Sequence, residues 1–173
     1  MKQKDILSFL DKKKIEYELI PHKEVYTADK MAKACKVPEN SIVKALVLKA
    51  NGKKFIMAVL PGVMAAKITR LKKFINVKTL ELASEAELKK ITGLAPGSAP
   101  ALGKLLKIKV YADELLEKTK SIVFPAGDYK SSLKINSLDW FKLESPEVLE
   151  FSVKPSKTKK KKPKKKSLGK KKK

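Results

Sequence analysis

Histidine, cysteine and arginine each occur once in this chain of 173 residues, as His22, Cys35 and Arg70. A single cysteine excludes an internal disulfide and any cluster of cysteine metal ligands. A single histidine excludes a multi-histidine metal site. No other grouping has metal-ligand spacing, and there is no glycine-rich phosphate-loop signature, so neither a metal, nor ATP, nor any other cofactor is expected. No uninterrupted apolar run approaches the roughly 18 residues of a membrane span, and a membrane partner is not expected. The first residues, Met1 to Asp5, reach no sustained apolar stretch before the charged run Asp11 to Lys14, which makes a poor signal peptide. A reducing, cytoplasmic setting suits the lone thiol, which reads as small core filling.

The scarcity of arginine bears on partners because the chain is otherwise strongly basic: 41 Lys and Arg against 18 Asp and Glu, a net charge of +23. Lysine is a hydrated point charge, whereas arginine is the fork that reads base edges bidentately. A lysine surplus therefore implies attraction to phosphate without specific DNA readout. The stretch 154–173 holds 13 lysines and no acid, which leaves a surplus of ten in residues 1–153. Its composition of Lys, Ser, Thr, Pro, Gly and one Leu cannot bury a core. The organisation expected is one domain over 1–153 and a disordered poly-lysine tail over 154–173. In that tail Lys159, Lys160, Lys161, Lys162, Lys164, Lys165 and Lys166 are candidate nucleic-acid contacts.

Within the body, Ile6, Leu7, Phe9 and Leu10 form the apolar face of a short helix, and Ile15, Tyr17 and Leu19 alternate with Glu16 and Glu18 as a strand closed by Pro21. Thr27 is a candidate cap for a helix through Cys35. The runs Ser41–Ala50 and Lys53–Leu60 flank Asn51-Gly52, the strongest hairpin signal in the chain, and their near-continuous apolar character suits central strands. Met64 to Phe74 reads as a basic helix with Ile68 and Leu71 inward and Lys67, Arg70, Lys72 and Lys73 outward, the last four being candidate nucleic-acid contacts. Ser84 with Glu87 is a capping box for a helix that stops at Gly93. The stretch Gly93–Gly103 has three glycines, two prolines and no charge, which suits a stiff loop with accessible main chain. Strands follow at Ile108–Tyr111, Ser121–Phe124 and Ser131–Ile135, and Ser137 is a candidate cap for a last helix containing Trp140 and Phe141. The fold class expected is α+β, a mixed α/β arrangement with a central mixed sheet or partly closed barrel and surrounding helices.

Several of these pieces, taken in order, resemble the YbaK/ProX family of aminoacyl-tRNA deacylases, whose domain also occurs as an insertion in bacterial prolyl-tRNA synthetases. The resemblance spans about Ile6 to Leu143. It rests on Pro21-His22, Thr27-Ala28, the strand Ile42-Val43-Lys44-Ala45-Leu46-Val47, Val59-Leu60-Pro61-Gly62, Thr92-Gly93, the loop Pro96-Gly97-Ser98-Ala99-Pro100-Ala101-Leu102-Gly103, and the turn Val123-Phe124-Pro125-Ala126-Gly127-Asp128. It implies a hydrolase that trans-edits mischarged aminoacyl-tRNA, with aminoacyl-tRNA as substrate and an aminoacyl-tRNA synthetase as a further partner. A hydrolytic second sieve is physically reasonable because a pocket alone separates near-isosteres poorly.

The resemblance also implies roles. Lys44 corresponds to the family's functional lysine, and it stands as a charge in an apolar strand, which is costly unless paired or matched by an anionic ligand. Gly97 and its loop would offer main-chain donors to the ester. His22, Thr27, Ser98, Ala99, Pro100, Ala101, Gly127, Asp128 and Tyr129 are the implied substrate-binding positions. The chemistry implied is substrate-assisted, with a ribose hydroxyl of the terminal adenosine helping to activate water. Two positions depart from the family pattern. Ala101 stands where the Gly-x-x-x-Pro motif ends in proline, and Tyr129 stands where alanine-selective members carry histidine. A pocket without a strong alanine preference follows, and a noncatalytic RNA-binding module is the alternative reading.

Overall fold

The computed structural model describes residues 1–155. Of the poly-lysine stretch, only Lys154 and Pro155 fall inside that range, so the expectation of a disordered, nucleic-acid-binding tail lies outside the described residues.

The described chain forms helices α1 (Gln3–Lys12), α2 (Ala28–Cys35), α3 (Ile68–Phe74), α4 (Glu85–Thr92), α5 (Gly103–Leu106) and α6 (Ser137–Glu144). The strands are β1 (Tyr17–Pro21), β2 (Val43–Ala50), β3 (Lys54–Pro61), β4 (Ala65–Ala66), β5 (Leu80–Leu82), β6 (Lys109–Asp113), β7 (Ser121–Pro125), β8 (Ser131–Asn136), β9 (Glu147–Leu149) and β10 (Ser152–Val153). Five strands make a mixed sheet in the order β5-β2-β3-β6-β9, three make an antiparallel sheet β1-β8-β7, and β10 pairs with β4. The architecture is the mixed α+β one that the sequence implied.

The hairpin β2–β3 turns at Asn51 and Gly52, both with positive φ (51° and 69°), as a tight right-twisted hairpin requires. Both its strands lie inside the five-stranded sheet, with β2 flanked by β5 and β3 by β6, which is why their apolar runs are unbroken. The β3–β6 and β6–β9 pairings are parallel. A bridge between Ile42 and Val123 joins the two larger sheets. The largest core cluster fills the space with Ile6, Leu10, Phe124, Leu133 and Trp140, and a second cluster packs Leu48, Leu60, Leu71 and Phe151. Cys35 is buried in a third, with Met31, Ile42 and Val123.

Local chemistry differs from expectation at three places. The basic helix begins at Ile68 rather than Met64, because Ala65–Ala66 is taken as a strand by β10. The cap of α6 is Asn136, whose side chain accepts from the Leu138 N–H at 2.9 Å, rather than Ser137. Thr27 is the N-cap residue of α2, yet its hydroxyl makes no capping bond and instead helps hold the neighbouring Asp29 carboxyl below its ordinary pKa. The capping box at Ser84 and Glu87 is present as read. The Lys49 ammonium, 2.9 Å from the Glu87 carboxylate, together with the cap itself holds Glu87 down to about 2 and ties α4 to β2.

Asp113 ends β6 fully buried. Its carboxylate accepts from the main-chain N–H groups of Leu115 (3.2 Å), Phe151 (3.0 Å) and Ser152 (2.7 Å) and from the Ser152 hydroxyl (2.9 Å). Those bonds place β10 where it can pair with β4, and Lys67 N–H donates to the Phe151 carbonyl beside it.

Candidate functional site

The edge where β2 begins, β3 ends and α2 starts encloses a cavity of about 690 Å³, within the usual range for a small-molecule site. Its wall is mainly apolar, from Met31, Ile42, Val47 and Leu88 among others, with Lys44, Thr27 and Asp29 as polar members. The approach of chain segments here depends on Gly62. A Cβ at that position would sit 2.6 Å from the Ala28 Cβ, so only glycine lets the end of β3 lie against the start of α2.

Lys44 is half-buried on this wall. Its ammonium donates to the main-chain carbonyls of Met64 and, at 3.4 Å, Gly62. Burial lowers its pKa from the ordinary lysine value. Among the described residues the ion pairs belong to Lys49, Arg70, Lys109 and Lys134, and none involves Lys44. The cavity thus holds a partly desolvated cation that is oriented by carbonyl dipoles and makes no ion pair among the described residues. Such a group gains most from an anionic or oxyanionic ligand.

The loop that follows Gly93 supplies the facing wall through Pro96, Gly97 and Ala99. Gly97 has φ +82°, a conformation that favours glycine. Neither the Gly97 nor the Ala99 N–H donates to another main-chain group of the described residues, whereas Ser98 turns back, its N–H and hydroxyl both donating to the Ala95 carbonyl (3.2 and 2.9 Å). Farther along, the buried Ala101 carbonyl accepts from Trp140 Nε1–H at 2.7 Å.

The implied site residues divide accordingly. Lys44, Thr27, Gly97 and Ala99 line the cavity together, while Ser98, Pro100 and Ala101 are buried behind that wall. His22 directly follows β1 at the three-stranded sheet: its Nδ1 is 2.8 Å from the Lys23 carbonyl and its Nε2 is 2.9 Å from the Ser132 hydroxyl. With Nδ1 donating to the carbonyl, the neutral ring accepts the Ser132 proton at Nε2. Asp128 closes a turn, its carboxylate accepting from Lys130 N–H and the Ser131 hydroxyl, both at 2.8 Å. Gly127 has φ +97° in the same turn. Tyr129 reaches from the turn to the loop. Its hydroxyl donates to the Pro96 carbonyl at 2.6 Å, and its ring centroid lies 4.8 Å from that of Tyr26. Lys67, just before α3, and Lys73 on it are exposed, Lys72 is partly so, and Arg70 is paired with Glu150.

Tyr26, a cavity-lining residue 68% exposed, was not singled out in the sequence. The available signal was an aromatic residue immediately before Thr27-Ala28 in a chain only 6% aromatic. Val63 and Leu82 join it as exposed apolar groups on the same wall.

Comparison with known proteins bears on this geometry. The sequence profile of the aminoacyl-tRNA editing domain matches residues 22–143, most of the chain and every cavity-lining residue. The chain is 26% identical over 150 residues to the multifunctional Ser/Thr-tRNA deacylase ProXp-y of Escherichia coli (strain K12), covering 84% of this chain and 90% of that protein. It is 34% identical over 105 residues to the proline–tRNA ligase of Staphylococcus saprophyticus, covering 60% of this chain but only 18% of the ligase. In three dimensions it superposes with a TM-score of 0.77 on a crystal structure of a candidate trans-editing enzyme for prolyl tRNA synthetase, at 18% identity, covering 87% of this chain and 96% of that one. That last likeness concerns the fold.

Proposed function

Because the chain belongs to the aminoacyl-tRNA editing domain family, we propose that it is a cytoplasmic trans-editing deacylase. It hydrolyses the ester of a mischarged aminoacyl-tRNA, tRNA-Pro or another tRNA carrying a small amino acid such as Cys, Ala or Ser, and works beside an aminoacyl-tRNA synthetase. The observation that carries this reading is Lys44: a half-buried ammonium with no carboxylate partner among the described residues, on the wall of an apolar cavity that Gly97 also lines. Lys44 orients the phosphate-bearing 3′ end or the developing oxyanion, and the N–H groups of the Gly97–Gly103 loop stabilise charge on the ester carbonyl. A ribose hydroxyl of the terminal adenosine assists the attacking water. Tyr26, paired with Tyr129, offers a face on which an unpaired base can stack. Lys67, Lys72, Lys73 and the lysine tail supply phosphate contacts without sequence readout. No helix of the described residues is long and apolar enough to cross a membrane.

The test is release of amino acid from tRNA-Pro charged with Ala, Cys or Ser, with a Thr ester added in view of the E. coli relative. Release above the uncatalysed rate is expected. With Tyr129 in place of histidine, an alanine preference above about a hundredfold is not expected, since a pocket separates neighbours by only about 1–3 kcal/mol per methylene. No release from any ester at saturating protein would overturn the reading. Salt-dependent RNA binding in the same sample would then favour a noncatalytic module.

A further inference from the structure

Helix α6 stands outside the cavity, yet two of its side chains hold the loop that walls it. Trp140 and Glu144 are four residues apart and so share one face of the helix. Trp140 Nε1–H donates to the Ala101 carbonyl at 2.7 Å, and the Glu144 carboxylate accepts from the Lys104 N–H at 3.0 Å. Trp140 is fully buried and Glu144 nearly so. The two bonds bracket Leu102 and Gly103, where the loop ends and α5 begins. Gly103 itself is packed so closely that a Cβ would run into Val110. The other limb of the loop is tied at Pro96 by the Tyr129 hydroxyl. Between these ties lie Gly97 and Ala99, the residues that face the cavity.

We propose that Trp140 and Glu144 are positioning residues for editing, a clamp on α6 that sets the aim of the Gly97–Ala99 main chain without touching substrate. This rests on the deacylase reading above. Main-chain donors stabilise a developing oxyanion only when held near hydrogen-bond distance before the reaction begins. A loop rich in glycine and proline does not hold itself there, because most of its N–H groups make no bond among the described residues. Loosening the clamp should therefore lower turnover while leaving ground-state binding, through Lys44 and the tRNA backbone contacts, nearly intact.

Glu144 gives the clamp a second signature. Its Oε1 has no partner among the described residues. Burial pushes its carboxyl up to about 7, opposed by the Lys104 N–H bond, the Lys104 charge and the Gly103 main chain. Lys104 on α5 is the charge acting on it; Val110 and the Ile108 carbonyl border the same spot from β6 and its approach. The acceptor for Lys104 thus changes charge across neutral pH.

The experiment uses the full chain with Trp140→Phe and Glu144→Ala, which each remove one tie, and with Glu144→Gln, which keeps an acceptor for Lys104 N–H but cannot ionise; thermal melting is the check on folding, and there are two readouts. Amide hydrogen exchange over residues 97–104 is expected to accelerate at least tenfold in Trp140→Phe and Glu144→Ala, with protection of β7 and β8 unchanged. On the best wild-type substrate of the ester panel, kcat is expected to fall at least tenfold with KM within about threefold. The wild-type rate is expected to inflect near pH 7, and Glu144→Gln is expected to remove that inflection. Loop exchange within twofold of wild type, or faster exchange with kcat unchanged, overturns the clamp. Should Trp140→Phe fail to fold, Glu144→Ala carries the test alone. Should the wild type hydrolyse nothing, the deacylase reading fails, and hydrogen exchange still decides whether α6 holds the loop.

Discussion

At Lys44 a half-buried ammonium makes no ion pair among the described residues and is held by the carbonyls of Gly62 and Met64. Lys44→Ala is expected to cut single-turnover deacylation at least tenfold, roughly 1.4 kcal/mol of transition-state stabilisation, with the melting temperature maintained. A rate within twofold of wild type would remove it from the mechanism. Glu144 makes the opposite kind of statement, about stability. Its folded pKa of about 7 lies above the ordinary 4.5, so between those values the native state holds a proton that the unfolded chain has released. The contribution is fully present below pH 4.5 and is lost as pH rises through 7. Over roughly 2.5 units that amounts to about 3 kcal/mol. Glu144→Gln should therefore gain about that much relative to wild type between pH 5 and pH 8, read from urea midpoints at the two pH values. Lys44 could be picked out in the sequence because a charge inside Ile42–Leu48 contradicts its surroundings. Glu144 could not, since its burial comes from Gly103 and Lys104, about 40 residues away. His22 was visible as the lone histidine, but its partner Ser132 is 110 residues distant.

Elements whose stability is local were legible, and those that borrow it were not. The Asn51-Gly52 hairpin and the Ser84–Glu87 box declare themselves within a few residues. By contrast β9 and β10 have three and two residues and no alternation to read. The first exists through parallel pairing with β6, the second through the carboxylate of Asp113. That dependence is measurable. Asp113→Ala would leave the buried N–H groups of Phe151 and Ser152 unmatched, at about 1–3 kcal/mol each. A loss of about 3 kcal/mol or more is expected in urea denaturation, with Asp113→Asn retaining part of it. A loss below about 1 kcal/mol would show that β10 stays in place without this anchor.

For the molecule as a whole, charge is the property that composition alone displayed. Lysine side chains on phosphates release counterions, and each contact steepens the dependence of log affinity on log salt by a little under one unit. We expect about 3 to 6 effective contacts from the 13 lysines of 154–173. A chain ending at Val153 should bind tRNA more weakly at low salt and with a flatter slope, while its saturated hydrolysis rate stays near that of the full chain. An unchanged slope would exclude the tail from tRNA capture. The pairing of β10 with β4 has a consequence in time as well as space. On a ribosome adding about 5 to 20 residues per second, the β2–β3 hairpin is complete well before Ser152 exists to meet Ala66. All the side chains that line the cavity have been made once Pro125 is in place. A chain halted between there and Phe151 therefore contains every wall residue but lacks the strand that steadies the segment after Met64, on whose carbonyl Lys44 rests. Stalled or clipped products of this length should be inert in the deacylation assay, and the proposed activity is expected to appear only once Ser152 and Val153 have been added.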